Sequence, residues 1–124
     1  MKFIWNTEYS VGVEELDQQH QRLFELGNDI EDASFDDSNQ YVIELFNYAR
    51  KHFAIEEKHM AEIGFPEAAD HRQLHTKLCK DFSNTVEHGF ENEEEFSEFK
   101  TFLYDWLTNH VMISDRRYFD FSKN

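Results

Sequence analysis

At 124 residues the chain is long enough for one domain with a real core, and a single proline with four glycines leaves few interruptions. Its 26 acidic residues against 12 basic give a formal charge of −14, which repels phosphate backbones and anionic lipid and argues against nucleic acid or a membrane surface as partner. Cys79 is the only cysteine, so no internal disulfide and no thiolate-based metal site are expected.

No apolar run approaches the ~18 residues of a membrane span, so membrane insertion is not expected. The opening residues, Met1 to Asn6, lack the apolar stretch of a signal peptide, which makes a cytoplasmic protein the expectation. Residues 1–124 read as a single domain, without internal repeats or low-complexity linkers. The acidic run Glu91 to Glu95 fits a solvated helix start.

Residues 1 to about 11 have no helical period and contain Trp5 and Tyr9, which suggests an extended arm packed outside the core. A first helix is predicted from about Val13 to Ala33, with Val13, Leu16, His20, Leu23, Gly27 and Ile30 on its inner face. Asp36, Asp37 and Ser38 offer N-caps for a second helix running to about Ile63. Its inner face carries Val42, Leu45, Ala49, His52, Glu56, Met60 and Ile63.

Gly64-Phe65-Pro66 should end that helix and begin the next, with Gly in the left-handed position and Pro at the first helical position. The third helix places Ala68, His71, His75, Leu78, Phe82 and Val86 on one face and stops near Gly89. Asn92 followed by Glu95 resembles a capping box for the fourth. That helix turns Phe96, Phe99, Leu103, Trp106, Leu107 and His110 inward. The tail from Asp115 carries Tyr118, Phe119 and Phe121 and should pack back on the body. Four amphipathic helices with short connections predict an all-α fold: an antiparallel, up-down four-helix bundle with an extended N-terminal arm and a short C-terminal segment.

The core-facing stripes are anomalous in one respect. Each of the four carries at least one histidine, and His52/Glu56 and His71/His75 are pairs one turn apart. A carboxylate on such a face needs a partner or a metal, and no Lys or Arg shares it. Single histidines are more often satisfied core or surface residues; together, on four helices, they point to one shared metal site. Imidazole and carboxylate without thiolate suit iron, copper, zinc or manganese. Glu56 lies about 40° from His52 around the helix and Glu57 about 140°, so only Glu56 should reach the site. His59 stands about 10.5 Å along the axis from His52 and, like His88, is expected outside it. A ferritin-like scheme built on Glu56-Glu57-Lys58-His59 would leave His52, His71, His75 and His110 on core faces without a purpose.

The order and spacing of Trp5, Asp17-Gln18-Gln19-His20, His52-Phe53 with Glu56-Glu57 and Met60, Phe65-Pro66, His71 with His75, and Trp106-Leu107 with His110, Asp115 and Tyr118 resemble the hemerythrin family over essentially the whole chain, in particular its single-domain bacterial members. The resemblance implies two iron ions with a bridging oxo or hydroxo group. It assigns His71, His75 and His110 to one iron, His20 and His52 to the other, and Glu56 and Asp115 to both. Taking both irons as six-coordinate, about twelve positions are available and one is left over, on the iron of His20 and His52.

What the resemblance implies functionally is reversible binding of dioxygen, as carrier, store or delivery partner, by a protein that is not an enzyme. An oxygen-consuming enzyme is a conceivable recipient, and a monomer is expected. Phe24, Phe53, Trp106 and Val111 are expected to form a dry oxygen pocket. The alternatives are an oxygen or redox sensing module, which predicts a tethered signalling domain that is not expected within these 124 residues, and a di-iron oxidase or peroxidase. Asp115, about 140° around and about 7.5 Å along from His110, cannot share its target on a straight helix, so a deformation between Val111 and Ser114 is expected.

Overall fold

The structure, a computed structural model, describes residues 2–110 and 115–122, the side chains of Phe119 and Ser122 excepted. Four main helices form the body: α1 (Glu14–Asp32), α2 (Ser38–Ile63), α3 (Ala68–His88) and α4 (Glu93–Asn109). A short helix, α5 (Arg116–Ser122), follows. Connections of a few residues turn each main helix back on its predecessor, and α1 packs on both α2 and α4 while α2 packs on α3. The result is the all-α bundle with an extended N-terminal region that the helical periodicity predicts. No helix among the described residues is long and apolar enough to cross a membrane.

Leu23, Phe24, Leu26, Ile30, Val42, Leu45, Phe53, Leu78, Phe82, Phe96 and Leu103 fill the main core. A second cluster at the other end joins Val11, Leu16, Met60, Phe65 and Tyr118, with Phe121 packed on it. The tail therefore does fold back, through α5. The buried histidines lie on the same helices between these two apolar masses.

Local chemistry decides the helix ends, and three of them differ from expectation. At the end of α2, Gly64 is left-handed (φ 70°), Phe65 N–H bonds the Met60 carbonyl at 3.0 Å, and Phe65 packs with Met60, which together make a Schellman cap. Pro66 is not at the first position of α3. It sits second in a turn closed by Ala68 N–H on the Phe65 carbonyl at 3.1 Å, where its fixed φ is equally at home, so the helix starts two residues later. None of the expected side-chain caps forms at α2. A 3-10 turn over Phe35–Asp37 runs into the helix, and the Ser38 hydroxyl bonds back to the Phe35 carbonyl instead. At α4 the Asn92 side chain accepts from Glu95 N–H as predicted, but the Glu95 carboxylate reaches back to Glu91 N–H rather than to the cap itself.

The arm contains a 3-10 turn at Thr7–Tyr9 and docks through Phe3, with Trp5 only half-buried. The Phe3 ring lies so close over Gly27 that a Cβ there would stand 2.4 Å from a ring carbon. The Asn28 side chain fixes the register, accepting from Phe3 N–H at 2.7 Å and donating to its carbonyl at 2.9 Å. Arg116 of α5 donates to the carbonyls of Glu8 and Ser10 at 2.9 and 3.3 Å, so the short last helix is tied to the arm.

Candidate metal centre

The five inward histidines and two carboxylates meet in one place. α1 contributes His20, α2 His52 and Glu56, α3 His71 and His75, and α4 delivers His110 at its C-terminal end. Asp115 stands immediately before α5. His110 and Asp115 are each in a π-helical turn, which is wider than an α-turn. The expected deformation between Val111 and Ser114 lies outside the described residues, as does the Val111 contribution to a pocket. All seven side chains are 5% exposed or less.

The carboxylate geometry divides the site into two halves. Glu56 turns Oε2 toward the Nε2 atoms of His20 (3.3 Å) and His52 (3.2 Å), and Oε1 toward those of His71 (3.3 Å), His75 (3.2 Å) and, farther off, His110 (4.0 Å). Asp115 repeats the division, with Oδ2 at 3.0 Å from His20 and Oδ1 at 3.1 Å from both His71 and His110. Each carboxylate therefore spans two groups: Glu56, His71, His75, His110 and Asp115 in one, His20, His52, Glu56 and Asp115 in the other. This buried His/Glu/Asp cluster can coordinate two metal ions.

The donor set fits metal better than it fits itself. Although these atoms are close, His52 Nε2, His71 Nε2, Glu56 Oε1 and both Asp115 oxygens lack an aligned hydrogen bond, and His75 and His110 face each other through Nε2 at 3.2 Å. Buried polar atoms are rarely left so. They converge on shared volume rather than on one another, as ligands do. The outer edge of His52 is oriented by Gln19, whose Oε1 lies 2.6 Å from Nδ1, which keeps the Nδ1–H tautomer and turns the Nε2 lone pair inward. Sequence reasoning did not assign Gln19 a role; its place beside His20, one step off the inner stripe of α1, is the available signal.

Protons stand in for cations when the cluster is considered alone. Burial pushes His20 down, but its contacts with Asp115 and Glu56 outweigh this and raise it to about 10. The same balance raises His71 to about 9. His75 is lowered, burial prevailing there. Glu56, despite full burial, is held well below the usual carboxylate range by the His52 charge and by its contacts with His20, His52 and His71. Asp115 is likewise lowered against burial and the Glu56 charge, by His110 and His20.

Beyond these seven residues, the structure sorts the remaining candidates. Glu57, half-buried, turns away and approaches Arg72 at 3.5 Å. His88 is exposed at the end of α3. His59 is outside the cluster and bonds the Tyr118 hydroxyl through Nδ1. Of the expected pocket, Phe53 stacks on His75 with centroids 3.9 Å apart and also meets His52 at 5.8 Å. Trp106 stacks on His110 at 4.9 Å and contacts Phe53 at 6.0 Å. Phe24 packs instead with Phe3, Trp5 and Tyr9. The structure thus brings Phe53 and Trp106 together, against the three-histidine half, with Phe53 reaching both halves.

Comparison with known proteins agrees with this arrangement. Residues 11–121 match the family model described as the hemerythrin HHE cation binding domain. A bacteriohemerythrin of Clostridium acetobutylicum is 27% identical over 128 residues, spanning 95% of this chain and 99% of that one. A hemerythrin-like protein of Naegleria gruberi is 31% identical over 116 residues, spanning 94% and 90%. A crystal structure of a hemerythrin with a leucine-to-alanine substitution superposes with a TM-score of 0.79 at 26% identity, over 94% of this chain and 93% of that one.

Proposed function

The chain belongs to the hemerythrin family, and from that premise we propose that the cluster holds two iron ions with a bridging oxo or hydroxo group and binds dioxygen reversibly. His71, His75 and His110 hold one iron, His20 and His52 the other, and Glu56 and Asp115 bridge them. The observation that carries this is the division of oxygens: Oε1 and Oε2 of Glu56, and Oδ1 and Oδ2 of Asp115, face opposite histidine groups. A carboxylate serving one ion has no need to spread in this way.

Two irons supply the electrons and the coordination position with which dioxygen is held. The chain's own residues do the rest. Burial of all seven ligands excludes bulk water, and the rings of Phe53 and Trp106 carry no acidic group that could serve as a proton source at the site. Gln19 fixes the ring of His52 on the side where ligand counting leaves a position open. Phe24, Phe53, Trp106 and Val111 remain the proposed lining of the oxygen pocket. The same proposal covers residues 1–124 as one domain acting as a cytoplasmic, monomeric carrier or store that hands oxygen to an oxygen-consuming enzyme.

Metal analysis and optical spectroscopy test the reading together. The expected result is two irons per chain and a spectrum that changes when reduced protein meets oxygen and reverts when oxygen is removed. A chain that binds iron but oxidises irreversibly in one exposure would falsify reversible carriage.

A further inference from the structure

A cavity of about 60 Å³ opens beside the start of α3, lined by Phe65, Glu67, Asp70, His71, Leu74 and Arg117. Of these only His71 belongs to the cluster; it is 4% exposed, and its Nε2 lacks an aligned hydrogen bond. Glu67, Asp70 and Leu74 lie at the surface. One small cavity therefore joins exposed carboxylates to a buried member of the cluster. Glu67 meets Arg117 of α5 at 3.4 Å, and both side chains are largely exposed. Asp70, in the first turn of α3, has no basic partner among the described residues.

Size and charge select what can pass. The volume suits a metal ion with a few waters and falls well short of the about 300–1,000 Å³ that an organic ligand needs. Two carboxylates on its lining attract cations and repel anions. Exposed carboxylates hold a divalent transition ion loosely, whereas several buried imidazoles hold it tightly, so an ion meets stronger ligands as it moves inward. The Arg117 guanidinium already fills the place of a cation against Glu67, and an exposed pair of this kind is weak enough to give way. A second cavity meets the cluster at His75 and suits a cation less well. There Phe53 lies nearly flat on the His75 ring at 3.9 Å, Arg50 supplies a positive charge, and the carboxylate of Glu57 is drawn toward Arg72.

We infer that the cavity beside α3 is the port through which ferrous iron enters and leaves the cluster, with Glu67 and Asp70 as transient ligands and His71 as the first buried one. The inference rests on the di-iron reading above. A port changes how fast an ion crosses, not where it ends. Carboxylates that stabilise the crossing speed uptake and release by the same factor and leave the affinity unchanged. Loss of a residue that only supports the fold loosens the cluster instead, raising release and lowering affinity.

The test follows ferrous iron uptake by the apoprotein under argon, and release from loaded protein to a chelator, at low and high salt. Glu67→Gln combined with Asp70→Asn is expected to slow both about tenfold at low salt, with a smaller difference at high salt and two irons per chain at the end. The Glu67 side chain makes no cap bond to α3, so its replacement removes no such support. As a control, Glu93→Gln with Glu94→Gln takes two exposed charges from the first turn of α4 and is expected to keep the parent's rates. Parent rates in the Glu67 and Asp70 variant, equal slowing in the control, or slower uptake with faster release overturns the port. Should that variant fail to fold, Arg117→Gln decides: it frees Glu67 and is expected to raise both rates, and unchanged or falling rates refute the assignment. Iron bound at equilibrium is measured first. A chain that takes up none overturns the di-iron reading as well, whereas one that reaches two irons at rates indifferent to these residues overturns only this inference.

Discussion

Stripping the metal from the cluster should make stability fall as pH rises, and the structure sets the size of the effect. Without metal, His20 is raised to about 10 and His71 to about 9, both by carboxylates that outweigh burial. A histidine raised in the folded state contributes stability that is fully present below its unfolded value of 6.5 and is lost as pH climbs through the folded one. Between about pH 6.5 and 9 the folded apoprotein then holds up to two protons that the unfolded chain has released. Each is worth about 1.4 kcal/mol per pH unit, so the slope is at most about 2.7 kcal/mol per unit. Because the two imidazoles share the same two carboxylates, one retained proton, or about 1.4 kcal/mol per unit, is the lower expectation.

For a domain of this length 1 kcal/mol moves the unfolding midpoint by about 4 °C, so the apoprotein midpoint should drop by about 5–10 °C per pH unit. Iron-loaded protein lacks that slope, since imidazoles that bind metal through Nε2 have already given up the proton. Thermal melts of chelator-stripped and iron-loaded protein at several values between pH 6.5 and 8.5 measure both. The gap between them should widen with pH. An apoprotein midpoint that is flat or rising over this range would mean that the carboxylates do not face the imidazoles as described, and the site geometry would be wrong.

Three further outcomes are expected. Glu56→Ala should lose one or both irons while Glu57→Ala keeps both, read as iron per chain after gel filtration; equal loss from both would contradict the burial of one and the outward turn of the other. Gln19→Leu, which removes the acceptor for His52 Nδ1, should weaken metal retention by about 10–100-fold in a chelator competition; unchanged retention means that packing alone holds the ring. Trp106→Ala should leave iron content intact but admit water and speed oxidation of the reduced protein, followed optically, and a rate equal to the parent's removes Trp106 from the oxygen pocket.

The fold was legible in the sequence because its period and its punctuation agree. Inner stripes on four helices, Gly64 at a helix end and Asn92 at a helix start each point the same way as the pattern around them. Six of the seven convergent residues were legible because a carboxylate or imidazole on an apolar stripe has no inexpensive explanation, whereas Asp115, which no helical stripe places, was named only by the resemblance. What escaped was decided between segments far apart in sequence. Phe3, rather than Trp5, anchors the arm because Gly27 leaves room for a ring and Asn28 can pair with its backbone, which only the folded helix brings opposite. The contact of His59 with Tyr118 and the hold of Gln19 on His52 join residues 59 and 33 positions apart, and no periodicity records such a pairing. Pro66 shows a milder limit: a residue that suits two neighbouring positions cannot by itself choose between a turn and a first helical residue.

Asp115 differs from the other six members of the cluster in what holds it. They project from the body of the bundle, whereas Asp115 precedes a seven-residue helix tied to the arm by Arg116. Its place in the cage therefore depends on the contact between arm and α5, and a change in the arm can reach the cluster without touching any of its seven residues.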